Sequence, residues 1–191
     1  RQKAPEQLFA IRFVSHQKGF SVGSFGTLLK TDDGGNRWEK VKLDWNLFLK
    51  DLIAQKGYLE PHLNDLFFLD RARGWIVGEF GLILHTKDSG ETWSLQDSGI
   101  RRALFKVFFM DHRKGWVVGQ NGTLLTTEDG GSRWRKVEAG VAESLFNVSV
   151  QDQSGLIVGE RGTVLQSSDG GISWVRLVGN PFRFPSWLQG V

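Results

Sequence analysis

Apolar and polar residues alternate along LFKVFFM (104–110), again along GWVVG (115–119) and again along GTLLTT (122–127), with short Gly-, Asn- and Asp-containing stretches between them. A period of two over so few residues predicts half-buried β-strands, and the punctuation predicts the hairpins that join them. RWRKV (133–137) supplies a fourth, shorter strand. The same order of apolar positions returns in GFSVGSFGTLLKT (19–31), GWIVGEFGLILHT (74–86) and GLIVGERGTVLQS (155–167). Nowhere does the pattern adopt the 3.6-residue period of a long amphipathic helix.

Each of these segments runs into one eight-residue phrase: TDDGGNRW (31–38), TKDSGETW (86–93), TEDGGSRW (127–134) and SSDGGISW (167–174). The closing tryptophans are 93−38=55, 134−93=41 and 174−134=40 residues apart, so one unit of about forty residues recurs, with extra sequence only between the first two. Four strands per unit of that length describe a propeller blade. The expected fold is therefore all-β, a β-propeller of four-stranded antiparallel blades at about 8–43, 64–97, 103–139 and 144–178. An insertion fills 44–63, and the tail at 179–191 is placed to start a further blade. Four complete blades are few for such a ring. The chain is expected to be part of a seven- or eight-bladed propeller, or to pair with a second copy that completes one. A solenoid of stacked hairpins is the architectural alternative.

The phrase lies in the turn between the third and fourth strands. Its acid is placed to accept hydrogen bonds from the backbone of its own turn, its glycines allow angles that a side chain would forbid, and its tryptophan starts the outer strand and buries a ring between sheets. Those roles fall to Asp33, Gly35 and Trp38, to Asp88, Gly90 and Trp93, to Asp129, Gly131 and Trp134, and to Asp169, Gly171 and Trp174. A calcium loop would need a run of alternating oxygen ligands and a bidentate Glu, which the phrase lacks. Its fourfold recurrence reads as a structural staple, with no metal.

The form S/T-x-D-[GS]-G-x-x-W resembles the Asp-box, the bacterial neuraminidase repeat of sialidases and other propellers. Preceded by G-[WF]-x-V-G-x-x-G-x-[IL]-x-x-[ST], it resembles the photosystem II stability/assembly factor family, over nearly the whole chain from Leu8 to Leu177. That resemblance implies a seven-bladed propeller in the thylakoid lumen or, in bacterial relatives, the periplasm. It also implies a chaperone that docks on a membrane-protein subunit without catalysis, partly through a basic patch. Four blades instead of seven and the insertion WNLFLKDLIAQKGYLEPHLN (45–64) are departures from that pattern.

Composition changes this picture little. The chain has no cysteine, which removes disulfides, thiolate nucleophiles and Cys-ligated metals, and its net charge is only +3. It contains no apolar run near the roughly 20 residues of a membrane helix, and its start, RQKAPEQ, is that expected of a mature form. No cofactor motif appears: the G-x-x-G pairs are hairpin turns, and the histidines lack zinc spacing. A sialidase would need a Tyr nucleophile with a Glu, and an arginine cluster. Tyr58, the only tyrosine, stands near Glu60, but nothing singles out the arginines.

Partner binding is expected where the repeats differ. The turns between second and third strands carry Phe25, Phe80 and Arg161, and the same rim receives Trp45 and Tyr58 of the insertion and the inter-blade pair Arg101 and Arg102. Aromatic and arginine side chains are the usual anchors of protein interfaces. The opposite rim carries Lys18, Arg71, Arg73, Arg113 and Lys114, joined by Arg37 and Arg133. Such a basic rim suits an acidic protein partner or, at most, peripheral contact with anionic lipid. Without aromatic residues interleaved among the charges, nucleic acid is not an expected partner.

Overall fold

The computed structural model describes residues 6–57 and 59–177, so Tyr58 and the tail at 179–191 lie outside the described residues. The chain divides into two compact units, Arg1–Gln96 and Asp97–Val191. Each holds two four-stranded antiparallel sheets in simple meander order.

In the first unit, β1 (Leu8–Phe13), β2 (Gly19–Gly23), β3 (Leu28–Thr31) and β4 (Glu39–Lys40) form one sheet. β5 (Leu63–Phe68), β6 (Gly74–Gly78), β7 (Ile83–Thr86) and β8 (Ser94–Gln96) form the next. The insertion between them, legible in the sequence only as a break in the repeat, contains two short helices, α1 (Trp45–Phe48) and α2 (Lys50–Lys56). Asp44 caps α1 by accepting a hydrogen bond from the Leu47 amide. Phe48 and Leu49 enter the core of this unit beside Phe20, Leu28, Leu66 and Ile76.

The second unit repeats the plan with β9 (Leu104–Phe109), β10 (Gly115–Gly119), β11 (Thr123–Thr127) and β12 (Arg135–Lys136), then β13 (Leu145–Gln151), β14 (Ser154–Gly159), β15 (Val164–Ser167) and β16 (Val175–Arg176). Its core joins Trp116, Val118 and Leu124 of one sheet to Leu145, Val148 and Ile157 of the other. Every second strand is buried along its whole length in β2, β6 and β10, because both faces of a middle strand are covered.

The Asp-box turns explain why the phrase recurs. Thr31 Oγ1 donates to Asp33 Oδ1 (2.8 Å) and accepts from the Gly35 amide (3.0 Å), while the same Asp33 oxygen accepts from the Arg37 amide (2.9 Å). The triangle returns at Thr86, Asp88 and Gly90, at Thr127, Asp129 and Gly131, and at Ser167, Asp169 and Gly171, with hydroxyl–carboxylate distances of 2.8, 2.9 and 2.7 Å. A hydroxyl that both donates and accepts is the smallest group that can close this turn, hence Ser or Thr at its start.

The turn also clamps neighbouring sheets together. Gly90 of the second sheet sits against the Phe20 ring of the first, and Gly171 of the fourth against Trp116 of the third; a Cβ at either glycine would lie 2.5 Å from the ring. Trp116 Nε1 and Trp174 Nε1 both donate to the Gly171 carbonyl, at 2.9 and 3.2 Å. Trp93 likewise meets Phe20 of the preceding sheet edge-on, with centroids 6.4 Å apart. Trp93 thus packs against the preceding sheet, whereas Trp38 and Trp134 meet Phe13 and Phe109 of their own sheets edge-on, at 6.1 and 5.8 Å.

Gly171 also has φ +80, which an L side chain adopts only with strain. Gly171→Ala is expected to cost at least about 2 kcal/mol, combining overpacking with left-handed backbone strain. Gly140→Ala, where φ is +68 but no atom lies within 4 Å, is expected to cost only about 1 kcal/mol. Urea unfolding midpoints of the two variants check the difference.

Candidate functional site

The turns between second and third strands form one edge of each sheet, and their tips share an unusual backbone. Phe25, Phe80, Asn121 and Arg161 have φ of 54, 59, 54 and 56, each followed by a glycine with positive φ. This is the mirror-image hairpin turn whose twist matches the strands, and it favours Asn-Gly. Only Asn121-Gly122 meets that preference. Phe25, Phe80 and Arg161 hold the left-handed form against a cost of roughly 1–2 kcal/mol each.

Beside these tips, every first strand carries a register shift one residue after its first leucine, at Phe9, Asn64, Phe105 and Phe146. A bulge re-aims side chains at the end of a strand. Sequence reasoning missed these bulge residues: LFAI, LFKV and LFNV carry a large apolar pair at the bulge, but LNDL does not, so the four share no signal short of the strand pairing itself.

In the first unit this edge is aromatic. His62 stands between Phe9 (5.9 Å) and Phe25 (5.4 Å, edge-on). The Phe80 ring lies under Lys56 of α2, 5.4 Å from Nζ. Trp45 covers Gly26 and meets Phe48 edge-on at 6.1 Å. The Gly26 amide donates to the Pro61 carbonyl at 2.8 Å, tying the hairpin to the end of the insertion. Phe9 remains 43% exposed and Leu47 of α1 71% exposed, which leaves apolar surface open along this edge. In the second unit, Phe105 and Phe146 lie 5.8 Å apart, Arg102 donates to the Asn121 carbonyl at 3.3 Å, and Arg101 is exposed.

The opposite edge holds the basic residues, and the two units treat them differently. In the first unit Lys18 bonds Glu91 at 2.6 Å, Arg37 pairs with Glu39 at 3.2 Å and Arg73 with Asp70 at 2.6 Å, while Arg71 is exposed. In the second unit Arg113 Nε donates to the Glu128 carbonyl, and Lys114 and Arg133 border a groove of about 220 Å³. Three of the four first-unit cations thus face an acid at ion-pair distance, whereas Lys114 and Arg133 of the second unit are held only by the longer-range attraction of Asp111 and Asp129.

The Asp-box carboxylates are committed to their turns. The Arg37 amide, then the Thr31 hydroxyl, holds Asp33 below the usual carboxylate range. The Thr92 hydroxyl and amide pull Asp88 down to about 2; the Arg133 amide lowers Asp129, and the Ser173 hydroxyl lowers Asp169. Among the described residues no group of three His, Asp or Glu is placed to hold a metal ion. Glu60 borders a cavity of about 300 Å³ with Trp45, Lys40 and Lys42, and no arginine lines it among the described residues.

The matched family is described as Photosynthesis system II assembly factor YCF48, and it matches residues 3–98 and again residues 93–185. The chain belongs to the YCF48 family. Among curated relatives, the chloroplastic photosystem II stability/assembly factor HCF136 of Arabidopsis thaliana is 32% identical over 88 residues, 45% of this chain and 20% of that protein. The photosystem II assembly lipoprotein Ycf48 of a Synechococcus strain is 32% identical over 84 residues, 44% of this chain and 22% of that protein. Each match spans about a fifth of the relative's length.

Solved structures of the YCF48 family share the fold. YCF48 from Cyanidioschyzon merolae superposes with a TM-score of 0.66 at 21% identity, over 90% of this chain and 56% of that one. A YCF48 bound to D1 peptide gives 0.56 at 16%, over 93% of this chain and 86% of that one. An ancestral GH74 enzyme gives 0.68 at 12%, over 91% of this chain and 24% of its own. At those identities the likeness is one of fold: four-stranded antiparallel sheets of the propeller type. The relatives carry the names of assembly factors, whereas GH74 proteins are enzymes.

Two outcomes follow from this geometry. His85 is stacked on Trp75 at 4.7 Å, its Nε2 is buried without a hydrogen-bond partner among the described residues, and burial, then Lys87 and Arg73, lowers its pKa to about 4. The unfolded chain therefore takes up this proton first, so stability is expected to fall as pH drops from about 6.5 to about 4, by roughly 1–3 kcal/mol. The lowered Asp-box carboxylates contribute stability above the ordinary carboxylate range that is lost below it. Unfolding midpoints measured from pH 7 to pH 3 should show both losses, and His85→Phe should remove the upper one. Separately, Arg161 is 80% exposed and only 4.0 Å from Glu160, so Arg161→Asn is expected to stabilise the protein by about 1 kcal/mol through turn relief alone, measurable as a raised urea midpoint.

Proposed function

We propose that this chain is a non-enzymatic, protein-binding part of an assembly or stability factor for a membrane or exported protein complex. It acts in an exported compartment, the periplasm or thylakoid lumen, and meets a membrane-complex subunit without itself entering the bilayer or binding nucleic acid. Membership of the YCF48 family supports the class of activity. The names of the Arabidopsis and Synechococcus relatives, chloroplastic and lipoprotein, support the compartment.

The observation that carries the reading is the strained hairpin edge of the first unit. Phe25 and Phe80 occupy backbone positions that Asn would fill at less cost, and each presents a half-buried ring beside exposed Phe9 and Leu47. Strain retained at a surface site with open apolar area is the mark of a surface shaped for a partner and not for stability. Rings with few rotatable bonds lose little entropy on docking, and Trp45 and Tyr58 of the insertion extend the same anchor chemistry. In the second unit Arg101, Arg102 and Arg161 supply charged contacts on the corresponding edge.

A peptide of D1, the ligand named for one solved YCF48, is the direct probe. Labelled D1 peptide should bind this chain in a fluorescence anisotropy titration, and the Phe25→Ala, Phe80→Ala double variant should bind about tenfold more weakly. Unchanged affinity in a variant that circular dichroism shows to be folded would remove this edge as the docking surface. No binding by the unaltered chain would count against the assembly-factor reading.

A further inference from the structure

The internal repeat lets one unit serve as the reference for the other. In the first unit the carboxylate of Glu91, from the Asp-box turn of the second sheet, reaches back to Lys18 at 2.6 Å and Lys30 at 3.1 Å on the first sheet. Lys30 also pairs with Asp32 at 3.1 Å, and Arg37 with Glu39 at 3.2 Å. Three cations in this groove thus face three acids of the same unit.

In the second unit two of the three cations persist, Lys30 giving way to Thr126, and of the three acids only Asp32 keeps a counterpart, Glu128. Lys114 occupies the place of Lys18, immediately before the glycine of the second strand, and Arg133 the place of Arg37. Arg135 replaces Glu39, which turns an acid into a third cation, and Ile172 replaces Glu91, two residues before the Asp-box tryptophan. Lys114, Arg133, Arg135 and Ile172 line one groove of about 220 Å³, whose floor is the buried Trp116. Among the described residues none of the three cations has a carboxylate at ion-pair distance, and Lys114 and Arg133 feel Asp111 and Asp129 only at longer range. Glu128 is the one acid lining the groove besides Asp129, and Asp129 is engaged by the Thr127 hydroxyl and the Arg133 amide.

We infer that this groove of the second unit binds a carboxylate supplied from outside, an aspartate or glutamate side chain of an extended peptide with an aliphatic neighbour, in the position that Glu91 fills internally in the first unit. The neighbour is set by Ile172, whose side chain is 68% exposed and replaces the polar stem of Glu91. A bare phosphate would leave that apolar surface uncovered, and base stacking is unavailable because Trp116 is only 2% exposed. The charge steers the acid to the groove and the aliphatic contact fixes its register. This site is separate from the aromatic edge and does not rest on it.

The test is an NMR titration of the ¹⁵N-labelled chain with the capped peptide Ala-Leu-Glu-Leu-Ala and its Gln counterpart. The Glu peptide should shift the amides of Gly171, Ile172 and Arg133, with affinity falling as salt rises, and the Gln peptide should bind at least about fivefold more weakly. Ile172→Glu restores the internal acid and should weaken the Glu peptide about tenfold, while Glu91→Ile should open a second responsive groove in the first unit. The site assignment fails if Ile172→Glu, with a dispersed native spectrum, binds like the unaltered chain, or if the Gln peptide binds equally well. It fails as a carboxylate site if inorganic phosphate displaces the peptide as effectively as free Glu peptide does. Phe25→Ala and Phe80→Ala should leave this binding unchanged, which keeps its outcome distinct from that of the aromatic edge.

Discussion

One hydroxyl per sheet holds this structure together. Thr31, Thr86, Thr127 and Ser167 each donate to an Asp and accept from a Gly amide, and at Gly90 and Gly171 the tightly folded turn brings the glycine out against the preceding sheet. Within each unit the glycine then receives the aromatic ring of the preceding sheet's second strand, Phe20 on Gly90 and Trp116 on Gly171. Local turn and sheet stacking are therefore one interaction seen at two scales. A carboxylate spent on two or more donors of its own turn has little capacity left for a metal or for acid–base chemistry.

Because the staple lies at one edge of every sheet, the chain is free to vary at the other. The hairpin tips show that freedom being used: the same left-handed turn carries Phe, Phe, Asn and Arg in succession, although Asn alone suits it. The basic edge shows a second kind of variation, in which exchanging Glu91 for Ile172 and Glu39 for Arg135 converts a self-neutralised groove into an open cationic one without altering the fold around it. A repeat architecture permits this, since each unit needs only its shared positions to stack.

Much of the fold was legible in the sequence because its determinants are local. Strand alternation, the glycines of the two turns and the Ser/Thr-x-Asp spacing all act within a few residues, so the four sheets, their strand order and the structural role of Asp33, Asp88, Asp129 and Asp169 could be read directly. The candidate site was legible only in part. Phe25 and Phe80 stood out as large residues in a turn, but Phe9, Phe105 and Phe146 did not, because a bulge is visible only once two strands are paired. The basic residues could be counted, yet their state could not: Lys18 and Lys114 occupy the same position in the repeat, and only a contact 73 residues away, from Lys18 to Glu91, separates them.

By itself, then, the sequence determined the repeat, the strand grammar, the staple and the family, since each depends on residue type at short spacing. Tertiary structure decided which aromatic rings cross between sheets, which backbone positions are strained and which cations remain unpaired. Those properties belong to residue pairs brought together by stacking, where separation in space, not in the chain, sets whether a charge is quenched or a ring is covered.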